Sequence, residues 1–89
     1  MRVRYKPSFR RDIRRIRDAD LHRRIQRKIT EIEAVATINE VSAIGRLRSE
    51  SGNHYRVRIG EYRLGVLVEG DTVTLLRFSH RSDFYRRFP

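Results

Sequence analysis

The sequence contains no cysteine and no tryptophan, and only two of its 89 residues are proline. The absence of cysteine excludes disulfides, thiolate metal sites and a cysteine nucleophile. Because tryptophan is absent, any stacking on a ligand must come from tyrosine, phenylalanine, histidine or arginine. No run approaches the roughly 20 apolar residues of a membrane helix, and the arginine-rich start of the chain lacks an apolar signal core. These features predict a cytoplasmic protein that does not act at a membrane.

Positive charge is in large excess, because 21 lysines and arginines stand against 11 acidic residues and give a formal net charge of +10. Residues 1–36 carry 12 basic and 5 acidic side chains, residues 72–89 carry 4 and 1, and residues 37–71 are balanced. All but two of the basic residues are arginines, whose planar guanidinium suits two-point contacts with phosphate. The composition therefore favours nucleic acid as the partner class.

The first third of the chain predicts a strand followed by two helices. Apolar and basic residues alternate over residues 1–6, which is the pattern of a strand with one solvent-facing side. A proline in the first turn and a narrow apolar stripe predict a helix over residues 7–17. Asp18 and Asp20 bracket a turn and supply an N-cap for a second helix, residues 21–36. The short connection makes the two helices an antiparallel hairpin.

The central segment, residues 37–53, is rich in glycine and serine and predicts an irregular connection with a short turn around residues 41–47. A last strand is expected over residues 72–78, and the tail from residue 79 shows no regular period. Together these elements predict a single α+β domain over residues 1–89 with the order β-α-α-β-β-β. The helical hairpin would pack on one face of a mainly antiparallel, four-stranded sheet.

The clearest pairing signal is a hairpin between residues 54–59 and 62–68. Both segments alternate apolar and polar residues, and the Gly-Glu pair between them fits a two-residue type II′ turn. Such a turn fixes the register and places the apolar residues of both strands on one face. On the other face it sets Arg58 opposite Arg63 and Arg56 opposite a glycine.

Directly opposed arginines repel each other, so this polar face needs an explanation. An anion between Arg58 and Arg63 would turn repulsion into binding, and Gly65 would leave room for it beside Arg56. Arg77 joins this face if the preceding loop has three residues, and it turns toward the helices if the loop has two. The alternative interpretation is that the arginines of this face are ordinary solvent-facing strand residues that splay apart.

The tail adds an imidazole, a guanidinium and a phenol through His80, Arg81 and Tyr85, while Phe84 and Phe88 are expected to anchor it to the core. RNA cleavage without a metal needs a base for the 2′-hydroxyl, cations for the phosphorane and an acid for the leaving oxygen. His80 suits the role of base or acid, and Tyr85 suits that of acid or stacking surface. The predicted phosphate clamps are Arg56, Arg58, Arg63 and Arg81. Further RNA contacts are predicted at Arg48, His54, Arg77 and Arg86.

Two segments resemble the RelE/ParE superfamily of toxins from toxin–antitoxin modules, namely YRVRIGEYRL at residues 55–64 and HRSDFYR at residues 80–86. The predicted order of elements also agrees over essentially the whole chain. The resemblance implies a RelE-like fold and an endoribonuclease that cleaves messenger RNA at the ribosomal A site. It further implies contacts with ribosomal RNA, a heteromeric complex with an inhibiting antitoxin, and no metal or cofactor.

By the same resemblance, Arg56 and Arg58 occupy positions that usually hold two lysines, one of them implicated in proton abstraction. Arg63 matches the hairpin arginine that stabilises the phosphate. Arg81 matches the arginine after the last strand, and Tyr85 matches the tyrosine of the tail.

The loss of both lysines changes the expected acid–base chemistry. Arginine has a very high pKa and is a poor general base, so His80 becomes a candidate for that role. Two other functions stay open: a ParE-type toxin that inhibits DNA gyrase, which would not need the tail cluster, and a non-catalytic module that binds nucleic acid through its charge.

Overall fold

The computed structural model describes residues 1–89 and contains a five-stranded mixed sheet and three α-helices. The elements follow in the order β1 (Arg2–Tyr5), α1 (Pro7–Arg14), α2 (Ala19–Ala34), a 3₁₀ turn (Ile38–Glu40), β2 (Ile44–Arg46), β3 (His54–Ile59), β4 (Tyr62–Glu69), β5 (Thr72–His80) and α3 (Arg81–Arg87). The strands lie side by side in the order β1-β5-β4-β3-β2. β1 is parallel to β5, and the other neighbours are antiparallel. No helix combines the length and the apolar character that a membrane crossing requires.

The predicted α+β class is confirmed, but the sheet has five strands instead of four and the tail forms a third helix. β2 lies in the segment predicted as an irregular turn, and it pairs antiparallel with β3. Its three residues are too few to show an alternating pattern. The seven residues of α3 are likewise too few to show a helical period. β2 and α3 therefore depend on pairing and packing with the rest of the fold, which the local sequence does not reveal.

The two predicted helices pack against one face of the sheet. Asp18 caps α2, since its Oδ1 accepts hydrogen bonds from the backbone N–H groups of Asp20 at 2.9 Å and Leu21 at 3.2 Å. The apolar stripe of α2 is buried and joins side chains of α1, β3, β4 and β5 in one cluster of 15 buried hydrophobic residues. This face of the sheet therefore forms the core and is called the helix face below.

The hairpin between β3 and β4 has the predicted register. Arg58 lies opposite Arg63, and Arg56 lies opposite Gly65. Gly60 has a φ of +58° whereas Glu61 keeps a negative φ, which is the combination of a type II′ turn. The face of the sheet opposite the helix face carries Arg56, Arg58 and Arg63, together with Arg77 of β5, and is called the arginine face below.

The orientation of Arg77 follows from an irregularity that neither predicted loop length anticipated. The turn before β5 has two residues, so Glu69 pairs with Thr72, which alone would turn Arg77 toward the helices. A bulge at Leu76 then shifts the register, and Arg77 pairs with Gly65 instead. One extra residue reverses which side chains of a strand face the core. The bulge thus sets Arg77 on the arginine face and Phe78 in the core.

Side chains of α1 complete the open edge of β5 beyond the end of β1. Ser8 Oγ donates a hydrogen bond to the backbone oxygen of Leu76 at 2.6 Å. The buried carboxylate of Asp12 accepts from the backbone N–H of Phe78 at 2.9 Å. The same carboxylate lies 3.1 Å from Arg77 Nε and accepts from Arg77 Nη2 at 3.3 Å. Two α1 side chains therefore replace the missing strand neighbour at the bulge.

We expect Asp12→Ala to destabilise the fold by about 2–3 kcal/mol, because it leaves a buried backbone N–H and a half-buried guanidinium without their acceptor. Urea denaturation measures the loss. Asp20→Ala is the matched control, because it removes an exposed carboxylate paired with Arg23 and should cost less. Equal losses for the two variants would contradict the role given to Asp12.

Glu31 joins α2 to the segment that precedes β2. Its carboxylate accepts from Lys28 Nζ at 2.8 Å, from the backbone N–H of Ser42 at 2.6 Å and from Ser42 Oγ at 3.1 Å. Burial acts to raise the pKa of Glu31, but these hydrogen bonds outweigh it and hold the pKa below the ordinary value. Ionised Glu31 therefore stabilises the folded state above its unfolded pKa of about 4.3, and this contribution is lost as the pH falls through the lower folded pKa.

We expect Glu31→Gln to be less stable than the parent protein at pH 7, with the difference shrinking as the pH is lowered toward 3. Denaturant titrations at a series of pH values measure this. Glu33→Gln on the same helix removes an equal charge from an exposed side chain and should show little pH-dependent difference. A gap between Glu31→Gln and the parent that stays constant with pH would contradict the assignment.

Candidate nucleic-acid interface

The hairpin tip gathers positive charge on the arginine face. Arg63 curls back onto the turn, where its Nη1 donates to the backbone oxygens of Gly60 and Tyr62, both at 2.9 Å. Its Nε is buried without an acceptor inside the chain. Arg58, directly opposite, is exposed and has no acidic partner. Neither guanidinium of this cross-strand pair is therefore compensated by a carboxylate.

Arg56 extends across its neighbouring strand instead of toward the glycine opposite it. Its guanidinium lies over Gly45 of β2, where an added Cβ would come within 2.7 Å of Nη1. The expected open space at Gly65 does not exist, because an added Cβ there would meet the ring of Phe88 at 2.7 Å. The prediction that Gly65 leaves room for an anion is wrong, since an aromatic ring of the tail occupies that space.

α3 begins at the hairpin tip and crosses the arginine face. Arg81, its first residue, donates its backbone N–H to the backbone oxygen of Glu61 at 2.8 Å, and its Nε lies 2.8 Å from Glu61 Oε2. Two aromatic residues then hold the tail in place, since Phe84 is fully buried and Phe88 is 5% exposed. Both are buried as predicted, but Phe88 covers the arginine face and neither belongs to the main core cluster.

Tyr85 is 53% exposed, and its ring meets Phe84 edge-on at 5.1 Å between centroids. It lies four residues after Arg81, so the two side chains share one side of α3. The buried Phe84 fixes the rotation of the helix about its axis. The arrangement therefore places a guanidinium at the hairpin turn and an exposed phenol one helical turn further along α3.

The two candidate histidines occupy different places. His80 pairs with Tyr62 on the helix-face side, with its ring edge-on to Tyr62 at 5.4 Å. Its Nδ1 caps α3 by accepting from the backbone N–H of Ser82 at 3.2 Å, which leaves Nε2 without a partner in the chain. His54 lies on the arginine face against Phe88, with Nδ1 2.9 Å from Ser49 Oγ. It is four strand residues from Arg58, or about 13 Å.

The remaining predicted RNA contacts differ in their availability. Arg48 is exposed and has no side-chain partner. Arg77 is paired with Asp12, and Arg86 is paired with Asp83 on α3. Arg48 is therefore the residue of this group whose charge is not already balanced inside the chain.

Sequence reasoning did not single out the carboxylates that position the site. Asp12 sets the orientation of Arg77 and the bulge, and Glu61 ties Arg81 to the hairpin tip. Glu61 left one usable signal, because it is the only acidic residue between Arg56 and Arg63. Asp12 left none, since its partners lie more than 60 residues away along the chain.

The chain matches a known family model over residues 3–85, and that model describes the ParE toxin of type II toxin–antitoxin systems, parDE. It is also 30% identical over 89 residues to Toxin RelE3 of Methanocaldococcus jannaschii, with both chains covered completely.

Solved structures give the same picture. The RelB–RelE antitoxin–toxin complex from Methanococcus jannaschii contains a chain that is 29% identical, with a TM-score of 0.79 and coverage of 97% of this chain and 99% of that one. The RelBE2 toxin–antitoxin complex from Mycobacterium tuberculosis contains one that is 28% identical, with a TM-score of 0.60 and coverage of 90% and 96%.

The contact between Gly65 and Phe88 predicts a thermodynamic coupling. Gly65→Ala should destabilise the fold by about 1–3 kcal/mol, because the new methyl group overlaps the ring. In a Phe88→Ala background the same substitution should cost much less, since the ring is gone. Urea denaturation of the two single variants and the double variant measures the coupling. An equal cost of Gly65→Ala in both backgrounds would show that the tail does not rest on Gly65.

Proposed function

Because the chain belongs to the RelE/ParE superfamily of toxins from type II toxin–antitoxin systems, we propose that it is a metal-independent endoribonuclease that cleaves messenger RNA. The preferred substrate is messenger held in the ribosomal A site, which would place the activity in the cytoplasm. A cognate antitoxin neutralises the toxin until cleavage is required. This antitoxin partner is supported by the solved relatives, which were crystallised as toxin–antitoxin complexes.

The single observation that carries this proposal is the grouping at the hairpin tip. Arg58 and Arg63 are cross-strand neighbours there and neither has a carboxylate partner, and Glu61 holds Arg81 beside the same turn. Tyr85 follows one helical turn later and is half exposed. Several guanidinium groups at one turn, with an accessible phenol on the following helix, suit a pentavalent phosphate with developing negative charge.

The proposed reaction is an internal transesterification. The 2′-oxygen of one nucleotide forms a bond to the adjacent phosphorus as its proton leaves to a base, and the bond from phosphorus to the 5′-oxygen breaks. A proton delivered to that 5′-oxygen completes the step, leaving a 2′,3′-cyclic phosphate and a 5′-hydroxyl. Arg56, Arg58, Arg63 and Arg81 stabilise the charge on the non-bridging oxygens.

The acid–base roles are assigned from the chemistry of the tail side chains. Tyr85 is suited to protonate the leaving oxygen or to stack on a base, because its phenol is exposed one helical turn after Arg81. His80 stays the candidate base because its Nε2 has no partner in the chain, although its ring lies on the helix-face side of the hairpin tip, next to Arg81. The arginines themselves stay charged at neutral pH and act by electrostatics alone.

We expect Arg63→Gln and Tyr85→Phe each to lower messenger cleavage by about 100-fold or more, since each removes a group used in the transition state. Primer extension on a message translated in a cell-free system measures cleavage. Arg17→Gln removes the same charge as Arg63→Gln from an exposed residue of the connection between α1 and α2 and should retain activity.

Full cleavage by both Arg63→Gln and Tyr85→Phe would overturn the site. Intact messenger with the parent toxin, together with loss of supercoiling by DNA gyrase, would overturn the ribonuclease function and favour gyrase as the target.

A further inference from the structure

A second basic cleft lies on the other side of the hairpin tip, between α2 and the end of β3. It encloses about 280 Å³ and is bordered by the side chains of Arg24, Arg27, Lys28, Glu31 and Arg58 and by the turn at Gly60. β2 does not reach this point, because its first residue, Ile44, pairs with Val57. The backbone oxygen of Ala43 still accepts from the backbone N–H of Arg58 at 3.1 Å, so Arg58 contributes its side chain to the cleft and not a free strand edge.

The charges in this cleft are not balanced within the chain. Its only carboxylate, Glu31, is committed to Lys28 and to the preceding segment at Ser42. Arg24, Arg27 and Arg58 have no acidic partner at ion-pair distance. Three guanidinium groups thus share one small cleft without a counter-charge, an arrangement that repels itself in the free protein and favours an anion.

The backbone also shapes the cleft for this purpose. Arg24 and Arg27 are three residues apart on α2 and so lie on one side of the helix. The guanidinium of Arg24 rests on the hairpin turn, where an added Cβ on Gly60 would come within 2.8 Å of its Nη1. Gly60 is thus required both by its positive φ and by the close approach of Arg24.

We propose that this cleft binds a second phosphate group of the RNA backbone. Arg58 is shared between the two sites, because its place in β3 sets it opposite Arg63 while its side chain borders the cleft. The bound RNA would therefore run from the arginine face around the hairpin tip to α2. This inference rests on the proposed function, because it assumes that the ligand is the RNA substrate. It adds a contact that positions the RNA at a phosphate away from the bond that breaks.

The test compares Arg24→Gln/Arg27→Gln with Arg11→Gln/Arg17→Gln, which removes the same charge from exposed residues outside the cleft. The probe is a fluorescent 20-nucleotide single-stranded RNA with 2′-O-methyl groups, which cannot be cleaved by 2′-hydroxyl attack. Affinity is measured by anisotropy at several salt concentrations, and thermal unfolding checks that both variants fold.

We expect the cleft variant to bind at least 10-fold more weakly than the control variant at low salt. Its plot of log affinity against log salt should be less steep by about 0.7, the value for one single-strand phosphate. Equal affinities and slopes for the two variants would overturn the proposal. Unchanged RNA binding combined with weaker binding of the cognate antitoxin would also overturn it, since the cleft would then serve an acidic protein segment.

Failure of the phosphate site can be distinguished from failure of the proposed function. If the parent protein binds the probe through the cleft but leaves unmodified messenger intact, the cleavage proposal fails and the phosphate site stands. If the parent cleaves messenger and the two double variants bind alike, the phosphate site fails and the cleavage proposal stands.

Discussion

The bulge at Leu76 is the constraint on which the arrangement of the site depends. Without it, Phe78 would leave the core and the residues after it would exchange faces. Ser8 and Asp12 of α1 hold the bulge by bonding the backbone of β5 where β1 has ended. A helix that otherwise only covers the core thereby determines which side of the sheet the end of β5 presents.

The orientation of the end of β5 explains how the tail meets the hairpin tip. β5 delivers Arg81 to the hairpin tip, where Glu61 contacts both its backbone and its side chain. α3 then turns onto the arginine face, and Phe88 covers Gly65 between the rows of arginines. The unmatched charges are left around the turn, with Arg58 and Arg63 on one side and the α2 cleft on the other. A turn of two residues thus separates two basic surfaces, which the proposed RNA strand would connect.

The sequence pattern predicted those parts of the fold that depend on residues close together in the chain. The alternation of β3 and β4 and the Gly-Glu turn predicted the hairpin register, including the opposition of Arg58 and Arg63, and the structure confirms it. β2 and α3 were missed because each is too short for its period to show. The orientation of Arg77 could not be predicted, because a bulge stabilised from a distant helix overrides the loop length. Gly65 shows the same limit, since its empty side is filled by Phe88 from the far end of the chain.

In the proposed reaction, a 2′-hydroxyl of messenger RNA attacks the adjacent phosphate at the arginine face. The most direct measurement uses a ribosome-bound message in which a single nucleotide at the mapped cleavage position carries 2′-hydrogen in place of the hydroxyl. The proposed reaction predicts that the purified toxin cuts the unmodified message to a 2′,3′-cyclic or 3′-phosphate end and leaves the substituted message whole. Cleavage of both messages at equal rates, or products ending in a 3′-hydroxyl, would contradict it.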